Sequence, residues 1–167
     1  MHKTTAIIIL LLISPLIFVI SILLFFQSRT NVIFIQKRIG LRQNEFTIYK
    51  FKTMERQKIT FIGKFLRKLG LDEIPQLYNI IKGDMTFVGP RPLTQFDIDR
   101  LKWNKPECMK RWNVKPGITG LAQLSKTCDS NLALKNDLFY IENKSFLLDI
   151  KLIIKSLLVP IIGKRTK

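Results

Sequence analysis

Ala6 to Phe26 (AIIILLLISPLIFVISILLFF) is apolar on every face of a helix, a pattern that calls for lipid all round rather than one-sided packing. Its 21 residues would reach about 30 Å as a straight helix, the thickness of a bilayer core. Ser14-Pro15 falls near the middle. Proline there removes a backbone hydrogen bond and clashes with the preceding turn, so a kink is expected, and the serine hydroxyl can satisfy the freed carbonyl. Lys3 before the run and Arg29, Lys37 and Arg38 after it are all basic, which gives no inside/outside asymmetry. Three readings follow. A cleavable signal peptide is disfavoured, because no small-residue cleavage site follows. A simple transmembrane anchor and a bent, re-entrant helix using one membrane face both remain.

Beyond this segment the pattern turns amphipathic. Val32 to Ile35 suits a short strand or interfacial element, and residues 36–40 are expected to end in a turn at Gly40. Phe46 to Met54 alternates with the period of a half-buried strand. Lys50 and Lys52 then share a face, either as ordinary solvated residues or as the cationic wall of a phosphate site. Thr60 is an N-cap candidate for a helix to about Lys68, with Phe61, Ile62, Phe65, Leu66 and Leu69 on one side and Lys64, Arg67 and Lys68 opposite or flanking. That helix can lie on an anionic membrane surface or pack on the core. Ile74, Leu77, Tyr78 and Ile81 mark a helix from about Glu73 to Ile81, with Pro75 in its first turn and Gly83 as its stop. Met85 to Val88 reads as a strand. Phe146, Ile150, Ile153, Leu157 and Ile161 keep helical spacing, interrupted by Lys151 and Lys155, so an interfacial or core-packed helix is expected rather than a second span. The basic tail from Gly163 to Lys167 suits lipid headgroups. The expected organisation is a membrane helix over 1–28, kinked at Ser14-Pro15, and an α/β (mixed α+β, helix-rich) domain over 29–167.

Charge narrows the partners. The chain of 167 residues carries 28 Lys+Arg against 12 Asp+Glu, a formal +16, and residues 6–26 carry none of it. An excess so large predicts an anionic partner. Beside an apolar segment it favours phospholipid and a phosphorylated substrate over nucleic acid. Cys108 and Cys128 lack metal-ligand spacing and His2 is the sole histidine, so zinc and Cys/His catalysis are excluded in favour of two reduced thiols.

The chemistry concentrates between Leu69 and Leu93. Asp72 and Glu73 fall at or just before a helix start, where the helix dipole favours an ionised carboxylate and attracts phosphate. As residues, they can be an N-capping pair, a site for a divalent cation such as Mg²⁺ bridging to pyrophosphate, or a nucleophile with a helper that attacks phosphorus. Gly89-Pro90-Arg91-Pro92 is a rigid turn whose flanking prolines hold the Arg91 fork ready for bidentate phosphate contact. Asp97 and Asp99 form an Asp-x-Asp, read as a helix or loop face before a metal site. Residues 115–120 (KPGITG) are expected to form a turn whose N–H groups can line an anion site.

FIQKRIG at 34–40, YKFKTM at 49–54, IGKFLR at 62–67, LDEIPQ at 71–76, KGDM at 82–85, VGPRP at 88–92 and KPGITG at 115–120 occur together and in order. Together they resemble the bacterial sugar transferase family, the small monotopic phosphoglycosyl transferases, over nearly the whole chain. The resemblance implies a two-step reaction at the cytoplasmic face of the bacterial inner membrane. Asp72 would attack the β-phosphate of a UDP-sugar, releasing UMP, and a polyprenyl (undecaprenyl) phosphate would take the sugar-phosphate, beginning assembly of a bacterial glycan. It implies Mg²⁺ at Asp72, Glu73 as the second member of the dyad, Arg67 near the lipid phosphate and Arg91 near a substrate phosphate. Asn79 and Asp137 match further active-site positions. A re-entrant helix broken at Ser-Pro also belongs to the resemblance. A homodimer through an apolar surface near the membrane helix is the further partner considered. The rival readings are a family member without catalysis and a membrane-tethered anion-binding protein.

The sequence departs from the family pattern in places. Residues 29–32 (RTNV) replace a Ser-x-Gly-Pro turn, and the segment from Met54 to Thr60 is short. Lys115 stands where arginine is usual, and residues 124–128 (LSKTC) replace Val-Asn-Gly-Arg. Those last two are expected near the nucleotide or sugar.

Overall fold

The computed structural model describes residues 2–28, 31–125 and 129–158. Ile161, the tail from Gly163 and Cys128 lie outside them. The chain opens with two helices, α1 (His2–Leu12) and α2 (Ser14–Ser28). They meet at an angle of 63°, and among the described residues no single helix is long and apolar enough to cross a membrane. The break has a clear chemical cause. Pro15 has no N–H to give the carbonyl four residues back, that of Leu11, and the Ser14 hydroxyl donates to it instead at 2.8 Å. Both halves then pack on the same body. Ala6, Ile9 and Leu10 of α1 join Leu77, Ile80 and Met85, while Ile20 and Leu24 of α2 join Phe51 and Leu66. The beginning of α1 comes back to the domain, with the His2 ring 6.0 Å from Phe87. The end of α2 is held there too, where Gln27 Oε1 accepts from the Ile62 N–H at 3.3 Å.

Strands β1 (Ile33–Ile39) and β2 (Glu45–Phe51) form an antiparallel ladder in register from Ile33–Phe51 to Ile39–Glu45. The strand thus takes in residues 36–39 and stops before Gly40, where the turn was expected. Its middle, Gln36-Lys37-Arg38, is polar because one face lines a cavity, so apolar alternation does not mark it. A tight hairpin of β3 (Met54–Glu55) and β4 (Lys58–Ile59) fills the short segment, with Arg56 and Gln57 both in the left-handed region (φ 46° and 64°). Helix α3 (Phe61–Leu69) starts at Thr60, whose hydroxyl accepts from the Gly63 N–H at 3.0 Å, and ends at Gly70 in the left-handed conformation. Its expected apolar side is divided: Leu66 is buried, whereas Phe61 is 89% exposed and Phe65 is also exposed.

A 3-10 turn (Leu71–Glu73) leads into α4 (Gln76–Lys82), which stops at Gly83 with φ 98°. Then β5 (Thr86–Val88) pairs in parallel with β6 (Gly117–Thr119). The KPGITG segment is therefore partly strand, and its Gly117 N–H is spent on Pro90 O at 3.0 Å instead of lining an anion site. Helix α5 (Gln95–Leu101) opens with a capping box in which Thr94 and Asp97 bond reciprocally. Asp99 accepts from Gln95 at 2.9 Å, so the Asp-x-Asp is helix chemistry and not a pair aimed at one metal. Helices α6 (Leu121–Ser125), α7 (Ser130–Glu142) and α8 (Phe146–Leu158) close the domain. Leu152 of α8 packs on Tyr140 and Val88, while Phe146, Leu147, Ile154 and Leu157 face outward. The fold is thus mixed and helix-rich, with three two-stranded sheets among the described residues.

Candidate active site

Asp72 sits in the 3-10 turn between α3 and α4 and is only 8% exposed. The N-cap positions of that turn and of α4 are held by Gly70 and Pro75, which have no side chain able to cap. Asp72 borders a cavity of about 440 Å³ together with Arg38, Lys50, Lys52, Arg67 and Arg91. One carboxylate among five cationic side chains is a site built for an anion with more than one negative charge.

Each wall has a local cause. On the β-ladder, Phe34, Gln36 and Arg38 share a face by the period of two, and Lys50 lies opposite Phe34. Lys50 Nζ is 2.7 Å from Glu73 Oε1, with both side chains 18% exposed, so the two carboxylates have separate settings. Arg67 reaches the cavity from the last turn of α3, its Nε donating to the Thr53 hydroxyl at 2.7 Å. The close approach of helix to strand depends on Gly63, where a Cβ would come 2.2 Å from Thr53 O. Arg38 donates to Gln36 Oε1 at 2.6 Å and to Pro92 O at 3.2 Å. Burial, with the Arg91 charge beside it, lowers the Arg38 guanidinium from its ordinary value, and Asp97 opposes the shift.

Of the residues expected at the site, Asp72, Lys50, Lys52, Arg67 and Arg91 come together at one cavity, and Glu73 stands beside it through Lys50. Two stand back from it. Asn79 is fully buried, accepting from the Tyr49 N–H at 3.3 Å and donating to Thr47 O at 2.6 Å. Its amide joins α4 to β2, with the Asp84 carboxylate 3.5 Å from the same nitrogen. Asp137 is buried against Arg111, whose Nε lies 2.8 Å from its carboxylate. Both border a second cavity of about 350 Å³ that also touches Arg91. Lys115 lies beside Gly83 and outside the lining of these two cavities. Residues 126–128 of the other departure lie outside the described residues. Arg38 and Thr53 were not singled out as site residues. The alternation Phe34, Gln36, Arg38 was the signal for the first; Thr53, one hydroxyl in a strand end, gave none.

The described residues contain no cluster of three or more Asp, Glu, His or Cys side chains able to hold a metal. A single buried carboxylate on a cavity is nonetheless a fit for Mg²⁺, which takes one or two carboxylates and completes its shell with substrate phosphates and water.

A cavity lined by cationic side chains around one buried carboxylate suits a polyanionic ligand such as a phosphate. The chain belongs to the bacterial sugar transferase family, whose model matches residues 1–163. It is 33% identical over 182 aligned positions to the UDP-N-acetylgalactosamine-undecaprenyl-phosphate N-acetylgalactosaminephosphotransferase of Aeromonas hydrophila, covering 98% of this chain and 43% of that relative. It is 39% identical to the uncharacterized sugar transferase EpsL of Bacillus subtilis, covering 73% of this chain and 66% of that one. It is 34% identical to the UDP-glucose:undecaprenyl-phosphate glucose-1-phosphate transferase of Escherichia coli, covering 95% of this chain and 39% of the relative. The chain thus spans less than half of the Aeromonas and Escherichia proteins and about two thirds of the Bacillus one.

Proposed function

We propose that this protein is a phosphoglycosyl transferase that moves a sugar-1-phosphate from a UDP-sugar to a polyprenyl phosphate. The observation that carries the reading is the buried Asp72 carboxylate in a cavity with five cationic side chains. In the first half-reaction an Asp72 oxygen attacks the β-phosphorus of the UDP-sugar. The new oxygen–phosphorus bond forms as the bond to the bridging oxygen breaks, and UMP leaves with that electron pair. In the second, an oxygen of the polyprenyl phosphate attacks the same phosphorus and the Asp72 carboxylate is released. No group is oxidised or reduced.

The surrounding residues fit these steps. Lys50 balances the charge of Glu73, so the neighbouring Asp72 can be ionised without two bare carboxylates repelling. Arg67 and Arg91 offer forked donors to the transferring and leaving phosphates, where charge builds as bonds exchange. Mg²⁺, held by Asp72 and the diphosphate, would supply further neutralisation of phosphate charge.

The membrane placement belongs to the same proposal. Both ends of the bent pair α1–α2 rest on the domain, which supports a re-entrant helix on the cytoplasmic face of the bacterial inner membrane. Exposed Phe61 and Phe65 next to Lys64 and Lys68 suit an anionic phospholipid surface. An N-terminal tag reachable only from outside the cell would overturn this topology. The test of the activity is UMP release by purified protein given UDP-sugars, Mg²⁺ and undecaprenyl phosphate. Absence of UMP with every UDP-sugar offered would leave the rival, a non-catalytic anion-binding protein, in its place.

A further inference from the structure

Four consecutive carbonyls of the Gly-Pro-Arg-Pro turn and its exit each accept a hydrogen bond. The Gly117 N–H donates to Pro90 O at 3.0 Å and the Ile39 N–H to Leu93 O at 2.8 Å. Between them, Arg111 Nη2 donates to Arg91 O at 2.5 Å and Arg38 Nη1 to Pro92 O at 3.2 Å. Pro90 and Pro92 have no N–H, so these carbonyls, with the Gly89 N–H that donates to Thr119 O at 2.9 Å, hold the turn. Gly89, Pro90, Pro92 and Leu93 are buried, and Arg91 alone is exposed. The outer two donors are backbone groups that most substitutions would spare. The inner two are side chains, so they are where the amino-acid sequence sets the geometry.

Arg111 is the less expected of these. It borders the second cavity and not the one that holds Asp72. Its Nε is 2.8 Å from Asp137, and its guanidinium carbon lies 5.0 Å and 4.8 Å from the ring centres of Trp103 and Trp112. Burial lowers the Arg111 guanidinium and raises the Asp137 carboxyl from their ordinary values, each opposed by the partner's charge. A buried pair of this kind adds little net stability over apolar groups of the same volume. What it does supply is a planar fork in one fixed orientation.

We propose that Arg111, locked by Asp137 and the two tryptophans, is a positioning residue that fixes the backbone of Arg91 and so sets where the Arg91 guanidinium meets the substrate phosphate. Asp137 then acts two steps from the substrate, as the anchor of Arg111. This rests on the reading of Arg91 as a phosphate contact.

The test is calorimetric binding of UDP to the full chain in detergent. Arg91→Ala weakens UDP about tenfold, the worth of a charge-assisted hydrogen bond. Arg111→Lys keeps the charge opposite Asp137 but lacks the fork, and weakens UDP about fivefold on the same scale. In the Arg91→Ala background Arg111→Lys adds nothing, because its effect passes through Arg91. The double replacement Arg111→Met with Asp137→Leu removes the pair together, keeps the melting temperature near that of the wild type, and still weakens UDP. If Arg111→Lys weakens UDP equally in both backgrounds, Arg111 contacts the ligand itself and the positioning role is overturned. A folded double replacement with wild-type affinity overturns it as well. If Arg91→Ala and the wild type bind UDP alike, the reading of Arg91 fails first and takes the inference with it.

Discussion

Replacing Lys50 with methionine keeps the stem of the side chain and removes the cation 2.7 Å from Glu73. At an effective dielectric of about 20, two unit charges so close attract by roughly 6 kcal/mol. Desolvation and the ordering of a long side chain return most of that, and removing one partner of a half-buried charged hydrogen bond costs about 2 kcal/mol net. For a protein of this size that is a fall of about 6 °C in melting temperature. The chemical consequence is more diagnostic. Without the Lys50 charge, two adjacent carboxylates hold a proton more tightly, so the acid limb of the pH–rate profile for UMP release moves to higher pH. Glu73→Gln in the same background removes the repulsion and returns the limb toward its wild-type position. Melting curves and initial rates from about pH 5 to 8 measure both effects. An unchanged profile in Lys50→Met, at unchanged stability, would refute the argument that Lys50 keeps Asp72 ionised.

Gly63→Ala places a methyl against the backbone of Thr53, so α3 must lift from the strand end. It costs about 2–3 kcal/mol, measurable by thermal unfolding, and raises KM by displacing Arg67 from its Thr53 anchor. Asp97 is pushed upward by burial, but hydrogen bonds from Thr94 and the charges of Arg100 and Arg38 outweigh this and hold it below its ordinary value. A lowered carboxylate contributes stability that is full above its unfolded value and is lost as pH falls through its folded one. Asp97→Asn therefore flattens the acid side of a stability–pH curve and leaves its slope near neutrality unchanged.

The elements marked by strong local chemistry were legible before any coordinates. Thr60 caps α3 and Gly83 ends α4 in the left-handed conformation, as their residue types ask. The break at Ser14-Pro15 follows from one missing N–H and one hydroxyl. Asp72 and Arg91 stood out as a carboxylate and a pinned guanidinium, and they do line one cavity. What was not legible depends on partners distant in sequence. Residues 36–39 were not marked as strand because Gln36 and Arg38 are polar and line a cavity. Gly117 became a ladder residue opposite Thr86, and Asp137 met Arg111 across 26 positions. The outward apolar rows of α3 and α8 share one difficulty: periodicity gives the row, but not whether protein or another apolar medium covers it.

The central claim is that Asp72 becomes covalently linked to the sugar-phosphate. Intact-mass analysis of the protein mixed with UDP-sugar and Mg²⁺, without lipid acceptor, tests this most directly. The account predicts an added sugar-phosphate that maps to Asp72, is discharged by undecaprenyl phosphate, and is absent from a folded Asp72→Asn variant that also releases no UMP. Turnover by Asp72→Asn at the wild-type rate, or an adduct on another residue, would contradict it.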